Sequence, residues 1–62
     1  MNAIDFIKEH NKVMFWNIYR YNEDTAEWDF VDKAEIEEEE KVDDAFFSSA
    51  LEENDTCDLY LA

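Results

Sequence analysis

VDDAFFSSALEE, residues 42–53, decides the fold, because what it forms determines what covers the strands around it. Val42, Ala45, Phe46, Ser49 and Ala50 recur at intervals of three and four residues, which predicts a helix over 42–53. Asp43 or Asp44 suits its first turn, where the positive end of the helix dipole favours a carboxylate. Downstream, NDT ends the helix, with Asn54 tolerant of a left-handed backbone. CDLYLA then reads as a terminal strand carrying Cys57, Leu59 and Leu61 on one face. Upstream, AEIEEEEKVDD, residues 34–44, sets seven carboxylates beside a single lysine, Lys41. Whether helix reaches back through 33–41 is open, because glutamate has good helix propensity while like charges four residues apart oppose it by a few tenths of a kcal/mol.

Further out, NAIDFIKEH, residues 2–10, has Asn2 as a candidate N-cap and Ala3, Phe6 and Ile7 at helical spacing, so a two-turn helix is expected. KVMFWNIYRYN, residues 12–22, is the strongest strand signal. Alternation sets Val13, Phe15, Asn17, Tyr19 and Tyr21 on one face and Met14, Trp16, Ile18 and Arg20 on the other. NEDTAE, residues 22–27, is a polar break with Asn22 and Asp24 suited to a turn. EWDFVD then alternates Trp28 and Phe30 with Glu27, Asp29 and Val31, which completes a hairpin. The expected fold is a small single α+β domain spanning residues 1–62, in the order α-β-β-α-β. Its short antiparallel sheet, a hairpin plus the C-terminal strand, is packed by two helices.

A chain of 62 residues is near the lower limit for a domain with its own core. Phe6, Phe15, Trp16, Trp28, Phe30, Phe46 and Phe47 are the expected source of that core, since each ring buries much apolar area at little rotamer cost. Packing likewise accounts better for MFWNIYRY than a base-stacking platform does, because such platforms lie in cationic grooves and this segment has only Lys12 and Arg20 nearby. A strand with rings on both faces is nevertheless either covered twice or presents one face to a partner. Tyr19 and Tyr21, whose hydroxyls tolerate water, are the candidates for an exposed pair.

No residue set points to catalysis. His10, the single histidine, sits at a helix end, where bonding to backbone carbonyls is its expected role. Cys57, the single cysteine, cannot form an internal disulfide, and its acidic surroundings oppose a thiolate. Neither NEDTAEWD nor ENDTCD has the glycine of a calcium loop, so no metal and no cofactor is expected. Met1 precedes a segment too short and charged for a signal sequence or membrane span, so a cytoplasmic protein is expected.

The net charge is −13, from 18 Asp and Glu against five Lys and Arg, which excludes direct attraction to nucleic acid or anionic membranes. Solubility needs a net charge of only about 2 to 8, and self-repulsion grows with the excess, so the excess needs a further purpose. On the expected strand, Glu27 and Asp29 lie about 6.7 Å apart. Helical spacing would bring Glu35 near Glu39, and Glu40 near Asp43 and Asp44, at about 5–6 Å between Cβ atoms. Such rows repeat as phosphates do along a strand. Glu37, Glu38, Glu39, Glu40, Asp43 and Asp44, with Glu35 beside them and Glu27, Asp29 and Asp32 extending the row, are the expected contacts to a basic surface built to hold DNA or RNA. Unrelieved crowding of these groups would raise their pKa values and make the fold more stable as pH falls towards about 5.

In size, charge and lack of catalytic groups the chain resembles the small acidic inhibitors encoded by phages and mobile elements, including DNA mimics that block restriction enzymes, CRISPR effectors, glycosylases or polymerases. The resemblance covers the whole chain in composition and matches no motif. It implies a host nucleic-acid-binding protein or complex as partner; a monomer or dimer in the cytoplasm of a bacterial host cell is expected. The competing expectation is an adaptor that binds a protein partner through its aromatic strand, with Tyr19 and Tyr21 in contact and the carboxylates serving solubility.

Overall fold

The computed structural model describes residues 1–48 and 55–62. The order is α1 (Ala3–Glu9), β1 (Phe15–Asn22), β2 (Glu27–Val31), a single 3-10 turn (Lys33–Glu35), β3 (Val42–Ser48) and β4 (Thr56–Leu61). The fold is α+β, with one α-helix among the described residues and one four-stranded sheet in the order β2-β1-β4-β3.

Helix α1 starts where its sequence signal predicts. The Asn2 side chain accepts hydrogen bonds from the backbone N–H groups of Ile4 (2.9 Å) and Asp5 (3.3 Å), which satisfies donors the first turn leaves free. His10 closes the other end. Its backbone N–H bonds to the Phe6 carbonyl at 3.2 Å and its Nδ1 lies 2.8 Å from the same oxygen, the end-of-helix role expected for it. The hairpin also forms as read. Strands β1 and β2 pair antiparallel from Ile18↔Val31 to Asn22↔Glu27, and Asn22 Oδ1 accepts from the Asp24 N–H at 2.9 Å to shape the turn. The left-handed position in that turn falls on Ala26, φ 57°.

Two expectations are overturned. Residues Val42–Ser48 form strand β3, not the first half of a helix; residues 49–53 of that expected helix, and Asn54 after it, lie outside the described residues. The sheet is mixed, not antiparallel: β4 runs parallel to β1 and antiparallel to β3. The reason lies in β4, whose Cys57, Leu59 and Leu61 are all buried. A strand that apolar belongs inside a sheet, with backbone partners on both edges, and β3, which carries Val42, Phe46 and Phe47, supplies the second edge. Tertiary pairing therefore outweighs the helical periodicity of 42–50, which depended on Ser49 and Ala50 to complete its stripe.

Helix α1 covers one face of the sheet. The buried core is Ala3, Ile18, Val31, Ile36, Cys57, Leu59 and Leu61, with Ile4, Phe6, Ile7, Val13, Trp16, Val42 and Ala45 packed around it. The core is thus mainly aliphatic. Of the rings expected to build it, Phe6 and Trp16 do pack there, whereas Phe15, Trp28, Phe30, Phe46 and Phe47 are exposed. Phe47 lies on the helix side, with its ring 6.1 Å from Phe6 and 5.1 Å from His10.

Candidate functional site

Two surfaces carry the unusual chemistry: the acidic loop between β2 and β3, and the sheet face away from α1. The loop is built around one cation. Arg20 projects from β1 towards the loop and donates from Nη2 to Glu40 Oε1 at 2.5 Å and from Nε to Glu40 Oε2 at 3.0 Å, with a further bond to the Glu35 carbonyl at 3.4 Å. Glu40 Oε1 also accepts from the Glu37 backbone N–H at 3.0 Å. One carboxylate thus joins the strand to the start and end of the glutamate run.

The N-terminus fixes the far end of that run. Asn2 and Lys41 form an antiparallel bridge, with Ala3 N–H to Glu40 O at 2.9 Å and Val42 N–H to Met1 O at 3.0 Å. The Asn2 side-chain amide donates to the Glu38 carbonyl. Asp32 accepts from the Ala34 N–H at 2.9 Å and so caps the 3-10 turn, while buried Ile36 anchors the loop to the core.

The expected acidic contacts therefore divide. Glu35, Glu37, Glu38, Glu39, Asp43 and Asp44 are exposed, but the helical spacing that would align them is absent, because helix in this region is limited to the 3-10 turn and β3 begins at Val42. Glu40 is withdrawn from the surface row: its side chain is 12 % exposed and spent on Arg20. Glu27 and Asp29 alternate as expected, but register with Asn22 and Arg20 sets them on the helix side of the sheet, and Asn22 bonds to Asp29 at 3.1 Å.

The electrostatics follow this division. The hydrogen bond from Arg20 holds the Glu40 carboxyl below the usual carboxylate range, against the opposing effect of partial burial. Glu37 is raised, first by sharing a proton-dependent hydrogen bond with Glu39 and then by the negative charges of Glu39 and Glu40.

The other face of the sheet is aromatic. Register places Tyr19 opposite Phe30 and Tyr21 opposite Trp28, while Tyr60 pairs with both Tyr19 and Asp44. Tyr60 is the centre of the array: its ring stacks on Tyr19 (5.1 Å, 22°) and meets Trp28 (5.0 Å, 81°) and Phe46 (5.9 Å, 84°) edge to face. Tyr19 and Phe30 meet edge to face at 5.9 Å, as do Tyr21 and Trp28 at 5.2 Å. Phe30 is 66 % exposed and Phe46 56 %, so this layer lies open; core packing accounts for Trp16 and Ile18 of the aromatic strand but not for its exposed Phe15 and Tyr21. Asp58 lies on the same face and accepts from Asn17 Nδ2 at 2.9 Å.

Tyr19 and Tyr21 are thus two members of a larger array whose other members the sequence reading missed. Trp28, Phe30 and Phe46, expected in the core, belong to this array, as does Tyr60. The signal for Tyr60 was the alternation of TCDLYL, which sets Asp58 and Tyr60 opposite the buried Cys57, Leu59 and Leu61.

Among the described residues no group of three or more His, Cys, Asp or Glu is arranged to hold a metal ion, and no helix is long and apolar enough to cross a membrane. Comparison of the chain with protein-family models, with curated proteins and with solved structures finds no match in any of the three.

Proposed function

We propose that the protein is a non-enzymatic inhibitor that occupies the cationic nucleic-acid-binding surface of another protein, with carboxylates standing where phosphates would otherwise lie. The observation that supports this is the division of labour in the acidic loop. Glu40 is committed to Arg20, while Glu35, Glu37, Glu38, Glu39, Asp43 and Asp44 remain exposed around it. A loop tied down at Arg20, Ile36 and the N-terminal bridge, continuing into β3 with Asp43 and Asp44, holds those charges at less entropic cost than a free acidic tail. The mechanism is occlusion, steered by long-range attraction and weakened by salt. The partner class is a host defence or nucleic-acid-processing protein in the bacterial cytoplasm, such as a CRISPR effector or a restriction enzyme.

The second reading, an adaptor that docks through the sheet, is favoured by the open rings of Phe30 and Phe46. The two predict different sensitivities. Reversing Glu38, Glu39 and Asp43 to Lys abolishes binding under the first, and replacing Tyr19 and Tyr21 by Ser abolishes it under the second. The deciding experiment is capture of partners from a bacterial lysate by the tagged protein at low and moderate salt, with and without competing DNA. One nucleic-acid-binding complex, displaced by DNA and by salt, supports occlusion. A partner indifferent to both overturns it in favour of the adaptor.

A further inference from the structure

The open aromatic face has a composition that selects its occupant. It carries rings centred on Tyr60, with the carboxylates of Asp44 and Asp58 on the same side of the sheet. No Lys or Arg occupies a described strand position on that face; Arg20, the strand cation, points to the other side. A ring presents negative charge on its face, so rings interleaved with carboxylates attract cations. Because Trp28 and Phe46 stand at 81° and 84° to Tyr60, ring faces are turned in more than one direction around it.

A second copy of the chain is a poor occupant. Pairing two such faces would press Asp44 and Asp58 against like charges, with a net charge of −13 on each chain. An apolar occupant would desolvate the same carboxylates and leave each with only a neutral donor, Asn17 Nδ2 for Asp58 and the Ala45 N–H for Asp44.

We propose that this face binds arginine side chains of a partner protein, the guanidinium planes lying on the rings around Tyr60 and donating to Asp44 and Asp58. Arginine suits the site better than lysine. Its planar, weakly hydrated cation stacks on a ring while its edge donates to a carboxylate, whereas an ammonium keeps its water more strongly. This inference rests on the proposal of a cationic partner and adds which surface meets it and through which residue type. Arginine-rich surfaces are common where proteins hold phosphate, so the residue type this face selects is one that such a partner supplies.

The test titrates the full chain with arginine-rich and lysine-rich peptides of equal length and charge, at low and moderate salt, following fluorescence and heat. Binding of the arginine peptide about tenfold tighter than the lysine peptide is expected, with the preference persisting at moderate salt. Tyr60→Leu and, independently, Phe46→Leu should each remove most of the preference. Glu38→Lys with Glu39→Lys should weaken both peptides alike and leave the ratio intact. Equal affinity for the two peptides overturns the proposal without any variant. So does concentration-dependent self-association in sedimentation that Tyr60→Leu abolishes, which would make a second copy the occupant. If the arginine preference holds while DNA fails to displace the captured partner, the face chemistry stands and the occlusion mechanism falls.

Discussion

Arg20 and Glu40 form a two-bond ion pair, Nη2 to Oε1 at 2.5 Å and Nε to Oε2 at 3.0 Å, that joins the second strand of the sheet order to the end of the glutamate run. The guanidinium is raised and the carboxyl lowered, each chiefly by this hydrogen bond, as a mutually stabilising pair requires. Arg20 is 43 % exposed, so water screens the pair and its net worth is well below that of a buried one. A double-mutant cycle of Arg20→Ala and Glu40→Ala should give a coupling of about 1 kcal/mol in urea unfolding. A coupling indistinguishable from zero would mean that the loop is held by Ile36 and the N-terminal bridge alone.

The same pair sets a pH dependence opposite to the one that crowding alone predicts. Glu40 has a folded pKa below its unfolded value, so its stabilisation is present above about pH 4.3 and is lost as pH falls through the folded value. Glu37 has a folded pKa above its unfolded value, so its contribution grows as pH falls and is complete below about pH 4.3. Melting temperature should therefore hold or rise slightly from pH 7 to 5. Glu40→Gln should be less stable than the parent at pH 7 and converge with it as pH falls below the folded value of Glu40. A gap that stays constant across that range would remove Glu40 from the account.

Burial on one face and exposure on the other should separate two sets of substitutions. Leu59 is fully buried at the centre of the sheet, and Leu59→Ala should cost about 2 to 5 kcal/mol. Phe30→Ser and Phe46→Ser remove only edge-to-face contacts on the open layer and should each cost about 1 kcal/mol or less. Comparable losses for the two sets, measured by denaturant unfolding, would show that the aromatic layer is part of the stabilising core.

The helix at Ala3–Glu9, the hairpin and the terminal strand were legible because each signal was local: the Asn2 cap, the alternation of β1 and β2, and the alternation in β4. What was not legible depended on partners distant in sequence. Val42–Ser48 has an internal pattern compatible with helix, and its strand form is set by pairing with β4, Ala45 to Leu59 and Phe47 to Cys57. The destination of the rings failed for the same reason. Among the described residues one helix covers one face, so with 42–48 in the sheet Trp28, Phe30 and Phe46 meet no second layer there. The acidic loop was visible as composition, but the commitment of Glu40 was not, because nothing local connects it to Arg20 twenty residues earlier.

The hairpin turn should admit a simple improvement. Ala26 sits at φ 57°, where its Cβ is crowded and glycine is not. Ala26→Gly should stabilise the protein by up to about 1 kcal/mol, since relief of the left-handed strain exceeds the added chain entropy of glycine. A loss of stability in thermal or denaturant unfolding would contradict a left-handed residue at this position.

Cys57 provides a probe of the core that requires no substitution. Burial, and after it the charge of Asp58, pushes its thiol up to about 11, and the side chain is fully buried opposite Trp16 and Phe47. At pH 8 the folded protein therefore holds little thiolate and shields what it has, because the thiolate is the reactive form. Labelling by a disulfide reagent should be at least about a hundredfold slower in buffer than in denaturing urea. Its rate should rise with urea in step with unfolding followed by tryptophan fluorescence. Fast labelling of the native protein would mean that β4 opens on its own, and that the sheet order carrying both Tyr60 and Leu59 is less firmly held than its burial implies.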